Sequence, residues 1–89
     1  MAFRAFDNWN SYLDNDGNLL HGKIRFCRKG TTDNIDIFDR DGNPIRNPEF
    51  TDALGRTQFQ VFVESDADVT AYFYKYVGTG EVMQTQLEY

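Results

Sequence analysis

The only histidine and the only cysteine of the chain, His21 and Cys27, are the first residues to consider for chemistry. A zinc site takes four ligands, and one Cys-His pair would need unusual help from carboxylates. A Cys-His nucleophile pair would need a third group to orient the histidine, and no motif supplies one. Strand alternation places Cys27 opposite Ile24 and Phe26, so we predict a small, partly buried thiol with no chemical role.

Two segments of the form Asp-x-Asp-Gly-Asn begin at Asp14 and Asp39 and suggest calcium loops. An EF-hand loop needs glycine at its sixth position and glutamate at its twelfth. Here the glycine comes fourth, and the twelfth residues are Arg25 and Phe50, which are not ligands. Asp, Gly and Asn are also the residues of tight turns, so the segments predict one hairpin chemistry used twice. We predict no metal and no cofactor.

The carboxylates give no sign of a catalytic pair. None of the 14 acidic residues stands in a run that implies removal from water. A small chain with no visible cleft-building insertion is also a poor host for a glycosidase pair. We therefore predict no catalytic residues and a protein that is not an enzyme.

Composition and charge restrict the class of protein further. The chain has 89 residues, enough for one domain, and its 16% aromatic content, mostly Phe and Tyr, favours strands. Its net charge of −5 argues against a nucleic-acid partner, because phosphate binding needs a basic patch. No apolar run approaches the roughly 20 residues of a membrane helix, and no signal peptide is visible, so we expect no membrane partner and synthesis in a cytoplasm.

Alternation of apolar and polar residues predicts several strands separated by turns at roughly ten-residue intervals. The segment 38–57 holds both prolines and two sharp turns, which predicts a stiff connector and excludes a helix interior or a central strand. The strongest strand signal is 69–77, and its spacing from the preceding strand predicts a hairpin over 58–77. We predict an all-β fold: a small antiparallel β-sandwich of about six to eight short strands at residues 14–89. A short N-terminal aromatic arm or helical turn precedes it at residues 1–13.

Two groups of aromatic residues are candidates for contacts between chains. One is the N-terminal arm, and the other is a stripe of tyrosines on one face of the strand 69–77. The arm could instead fold over its own domain, and the stripe could instead pack within the chain or stack on sugar rings. The candidate interface residues are Phe3, Phe6, Trp9, Tyr72, Tyr74 and Tyr76.

An ordered set of motifs over residues 12–77 resembles phage tail-fibre and tailspike modules. Residues 12–26 resemble their D-x-x-G-x-P-L-x-G-G-K-I-x-F opening. A Gly-Thr-Thr segment at 30–32 follows, then Asn-Pro at 43–44 and 47–48, and then the D-x-x-G-R turn of residues 52–56. The chain thus looks like a virion structural protein of a tailed phage, including those of gut Bacteroidetes such as the crAss-like phages.

The resemblance implies a β-sandwich that attaches or spaces a fibre on the virion, within a homo-oligomer and in contact with other virion proteins. A trimer is the favoured assembly, and localisation would be the virion, after synthesis in the host cytoplasm. The expected function is therefore non-enzymatic and rests on protein–protein contacts. Two alternatives stay open: a carbohydrate-binding or adhesive module that takes a host glycan, and an accessory domain of a larger hydrolase.

Overall fold

The fold is a β-sandwich of short antiparallel strands. The computed structural model describes residues 2–6, 11–84 and 87–88. In these ranges the chain forms nine strands and no helix, and no described segment is a helix able to cross a membrane. The predicted all-β antiparallel sandwich is confirmed. The strands are β1 (Phe3–Ala5), β2 (Gly22–Arg28), β3 (Ile37–Phe38), β4 (Pro44–Ile45), β5 (Glu49–Phe50), β6 (Phe62–Glu64), β7 (Val69–Val77), β8 (Gly80–Met83) and β9 (Leu87–Glu88).

The strands form two sheets. The smaller sheet has the order β1-β6-β3-β4, and the larger has the order β5-β2-β7-β8, with β9 also paired to β7. The longest ladder joins β2 to β7, from Gly22 opposite Lys75 to Arg28 opposite Val69. This ladder fixes which side chains of the larger sheet share a face.

Alternation along β2 and β7 separates a core face from an outer face, as predicted. Ile24 and Phe26 of β2 are fully buried, and Phe26 packs edge-on against Phe6 with ring centroids 5.0 Å apart. Burying side chains of this size stabilises the fold by about 1.5–3 kcal/mol each. The other fully or nearly fully buried apolar core residues are Leu20, Ile37, Val61, Val63, Val69, Ala71 and Phe73.

The predicted hairpin over residues 58–77 is wrong. Strand β6 pairs with β1 and β3 in the smaller sheet, whereas β7 pairs with β2, β8 and β9 in the larger one. The chain crosses between sheets through a turn closed by the Ala67 N–H and the Glu64 carbonyl at 2.9 Å. Because the chain changes sheets here, Val63 and Val69 lie in different sheets, and both side chains point into the core between them. Phe59, which precedes β6, is exposed.

Three five-residue loops share one geometry. In each, the carboxylate of the first residue accepts the backbone N–H of the third and fifth residues at 2.8–3.1 Å. The fourth residue is a glycine at φ 82, 82 or 73°, a region that favours glycine. The predicted turn role of the two Asp-x-Asp-Gly-Asn segments is confirmed, and residues 52–56 are a third copy. The loops are 14–18, 39–43 and 52–56.

The connector supplies one edge strand to each sheet, in agreement with its exclusion from central positions. β4 ends the smaller sheet and β5 ends the larger. Between them, the Asn47 amide donates to the Phe26 and Ile35 carbonyls at 2.7 and 2.8 Å and accepts the Phe26 N–H at 3.1 Å. The Asn47 side chain therefore takes the place of a backbone acceptor for the Phe26 N–H.

The first described stretch of the N-terminal segment, residues 2–6, runs along the smaller sheet. Phe3–Ala5 pair with β6 as an edge strand and not as a helical turn. Phe6 follows directly and is buried in the core. Residues 7–10, which include Trp9, lie outside the described residues.

Candidate functional site

The tyrosines of β7 lie on the outer face of the larger sheet. Register places Phe50 opposite Lys23, Lys23 opposite Tyr74, and Tyr74 opposite Met83. Antiparallel partners point to the same face, so these four side chains form a row across four strands. Tyr72 and Tyr76 stand on either side of this row along β7. We call these six residues the outer patch: Lys23, Phe50, Tyr72, Tyr74, Tyr76 and Met83.

The centre of the outer patch is held by contacts within the chain. The Lys23 ammonium lies 5.1 Å from the centroid of the Tyr74 ring, a cation–π distance. The same ammonium is 3.0 Å from the Glu81 carboxylate on β8. At one side, the Tyr72 hydroxyl donates to the Thr31 carbonyl at 3.0 Å. These contacts fix the tyrosine rings before any partner arrives.

The two ends and the other side of the outer patch are open to solvent. Phe50 is 44% exposed, Met83 53% and Tyr76 38%. Tyr76 makes an edge-on contact with the His21 ring at 5.6 Å, which leaves part of its ring free. Beyond the row, every residue of β8 is exposed. Aromatic and Met side chains that share one exposed face are typical of a protein-docking surface.

The structure brings together three of the six predicted interface residues, the tyrosines. Phe3 lies on the other sheet, where its ring packs on Phe38 with centroids 4.7 Å apart. Register places Phe62 beside Phe38, so a second, half-buried aromatic cluster covers the outer face of the smaller sheet. Phe6 is 1% exposed, and its ring contact with Phe26 lies within the chain.

Sequence reasoning missed Phe50 and Met83 as members of the patch. Phe50 lies in the connector and Met83 ends β8, and the residue pattern of neither segment indicates which strand it pairs with. Only the ladders to Lys23 and Tyr74 place them in one row. The one signal in the sequence was the apolar type of both residues.

The residues first considered for chemistry are not assembled for it. Cys27 is fully buried, and burial raises the pKa of its thiol, which keeps the sulfur protonated. The segment after β2 folds over it, with the Gly30 N–H bonded to the Thr70 hydroxyl at 3.0 Å. His21 lies elsewhere, against Tyr76. Within the described ranges, no group of three or more His, Cys, Asp or Glu side chains is placed to hold a metal ion.

The acidic residues that suggested calcium serve structural roles. The carboxylates of Asp14 and Asp39 accept backbone hydrogen bonds within their own loops, and Asp14 also binds the Lys75 ammonium at 3.0 Å. The hydrogen bond to Lys75 holds the pKa of Asp14 below its usual range, and the bond from the Asn43 N–H does the same for Asp39. The Asp14–Lys75 pair also fastens the first loop to β7.

No protein-family model, curated protein or solved structure matches the chain.

Proposed function

We propose that this protein is a non-enzymatic structural module of a tailed-phage virion. It attaches or spaces a tail fibre through protein–protein contacts, and copies of the chain associate through the outer patch, with a trimer as the favoured assembly. The observation that carries the proposal is that Phe50 and Met83, at the two ends of the row, are exposed apolar side chains. Between them lies a tyrosine ring that is already ordered. The virion setting is supported by the ordered motifs of residues 12–77.

The outer patch is suited to a permanent contact. Tyr74 is already oriented by Lys23, so little side-chain freedom is lost when a partner covers it. A stable interface buries roughly 800 Å² on each partner, and hot spots in such interfaces are enriched in Tyr, Trp and Arg. The patch spans four strands, about 15 Å at the usual strand spacing, so it would form the centre of an interface of this size.

The test is the solution mass of the purified chain by light scattering over a range of concentrations. The proposal expects a closed oligomer, and it expects the double variant Tyr76→Ser with Met83→Ser to shift the chain toward monomer. Both side chains are exposed, so the fold should survive the change.

The matched control lies on the opposite face of the same two strands. Val77 and Val82 are 53% and 51% exposed, and the double variant Val77→Ser with Val82→Ser removes similar apolar surface. We expect this control to keep the oligomer. A wild-type monomer at the highest concentration, or equal loss of mass in both double variants, would show that the outer patch does not join copies of this chain.

A further inference from the structure

A cavity at the edge of the larger sheet carries features that the docking role does not explain. It has a volume of about 290 Å³ and lies beside β5. Binding pockets for small molecules usually start near 300 Å³, so the volume fits a single sugar-sized group. Its lining residues are Arg46, Glu49, Phe50, Gln58 and Phe59.

One oxygen of a buried carboxylate in the cavity wall lacks a partner. Glu49 is 6% exposed, and its Oε1 atom is fully buried with no hydrogen bond inside the protein. Buried polar atoms are normally satisfied, because leaving one unpaired costs about 1–3 kcal/mol. Glu49 lines the cavity, so a turn of its side chain would bring this oxygen to a group bound there, which would supply the missing hydrogen bond.

Two phenyl rings line the same cavity. Phe50 and Phe59 are 44% and 40% exposed, although both are large apolar side chains. The Arg46 guanidinium carbon lies 6.0 Å from the centroid of the Phe50 ring, which places a planar donor beside that ring. Gln58 adds an amide that can donate and accept. The cavity is therefore lined by apolar ring faces together with hydrogen-bond donors and acceptors.

The charges narrow the class of ligand. An anion would be attracted by Arg46 and repelled by Glu49, whereas a cation would be attracted by Glu49 and repelled by Arg46. Burial raises the pKa of Glu49 above its usual range, and the Phe50 N–H and the Arg46 charge offset this only in part. A carboxyl that is reluctant to ionise is a poor site for an ammonium group. A neutral ligand with hydroxyl groups suits both polar side chains, because each hydroxyl donates and accepts.

We propose that the cavity of Arg46, Glu49, Phe50, Gln58 and Phe59 binds a neutral pyranose ring. The CH faces of the sugar pack on Phe50 or Phe59, one hydroxyl bonds the Glu49 carboxyl after that side chain turns toward the cavity, and neighbouring hydroxyls bond Arg46 and Gln58. This site lies at the strand edge and does not depend on association of the chain. It is also distinct from the tyrosine stripe, and it needs no Asp loop.

The test is a titration of the isotope-labelled full chain followed by backbone-amide NMR shifts. The probes are D-glucose, D-galactose, D-mannose and N-acetyl-D-glucosamine, with methylammonium and acetate as the cationic and anionic comparisons. We expect at least one sugar to give saturable shifts at residues 46–50 and 58–59, with a dissociation constant of roughly 1–50 mM, and neither comparison to do so. A methyl glycoside that binds as well as the free sugar would indicate the end unit of a glycan, and loss of binding would indicate the free sugar.

Two variants separate binding from folding. Phe59→Ala should weaken the sugar at least tenfold, while Leu54→Ala, which truncates another exposed apolar side chain outside the cavity, should leave it unchanged. Glu49→Gln should keep binding within a few fold, since an amide also donates and accepts. The proposal is overturned if no sugar saturates, if methylammonium binds instead, or if Phe59→Ala binds like the wild type.

Discussion

The three Asp loops allow a stability prediction in which one substitution is made in three surroundings. Gly17, Gly42 and Gly55 occupy the same loop position at positive φ, so alanine at any of them carries the same backbone strain of about 1–2 kcal/mol. Their neighbourhoods differ. A Cβ at Gly17 would meet nothing within 4 Å, whereas one at Gly42 would lie 3.3 Å from the movable Phe3 ring.

Gly55 is the demanding case because its neighbour is backbone. A Cβ there would lie 2.6 Å from the Tyr12 carbonyl oxygen and 3.2 Å from the Leu20 nitrogen. Relief of the overlap must move the segment that carries the Tyr12 N–H bond to the Gly55 carbonyl, now 2.8 Å. Overpacking costs about 1–3 kcal/mol and a lost hydrogen bond about 1 kcal/mol. The total for Gly55→Ala is roughly 3–6 kcal/mol, which is at least about 2 kcal/mol more than for Gly17→Ala.

The assay is urea unfolding of the three variants and the wild type, followed by far-ultraviolet circular dichroism. With a slope of about 1 kcal/mol per M for a domain of this size, Gly55→Ala should unfold roughly 2 M below Gly17→Ala, with Gly42→Ala between them. Equal midpoints for Gly17→Ala and Gly55→Ala would refute the reasoning, because strain at the loop would then be the whole effect.

Three further predictions concern buried polar groups. Asn47→Ala should lower the free energy of unfolding by about 2–4 kcal/mol in the urea assay, because three hydrogen bonds to Phe26 and Ile35 are lost; Asn18→Ala, an exposed control, should be near neutral. The pKa of Glu49 is raised in the folded protein, so its contribution to stability should fall as the pH rises above the unfolded pKa of about 4.3. The variant Glu49→Gln should therefore unfold at a higher urea concentration than the wild type at pH 7, and this difference should disappear near pH 4. An unchanged difference across that range would contradict the assignment. Cys27 should resist a thiol reagent in the folded chain and react fully in denaturant, and rapid labelling of the native protein would show that its cover opens.

Local patterns in the sequence predicted faces well and partners poorly. The alternation of residues 23–27 correctly separated Ile24 and Phe26 from Lys23 and Arg25, because side-chain direction in a strand depends only on parity. The same parity in β6 and β7 could not say whether the two strands share a sheet. A hairpin and a sheet crossing bury identical residues, and only the pairing of β6 with β1 decides between them.

The candidate sites show the same limit. The tyrosines on one face of β7 follow from period-two spacing, but Phe50 and Met83 join them through ladders that span much of the chain. Glu49 was missed for another reason. A glutamate between two turns normally lies in water, and its burial depends on β5 closing the edge of β2. No pattern of a few residues contains that information.

The proposed docking surface and the proposed sugar site share one residue, and each also has a residue that the other lacks. The two proposals can therefore be tested separately. Phe50 ends the row of the outer patch and also lines the cavity, so Phe50→Ala should impair both functions and cannot distinguish them. Met83 belongs to the patch alone, and Phe59 to the cavity alone. If a bound sugar covers the Phe50 ring that a second copy of the chain requires, the two ligands must weaken each other by the same factor, since coupling between binding free energies is reciprocal. A sugar that leaves the oligomer intact would then confine the interface to the Met83 side of the sheet.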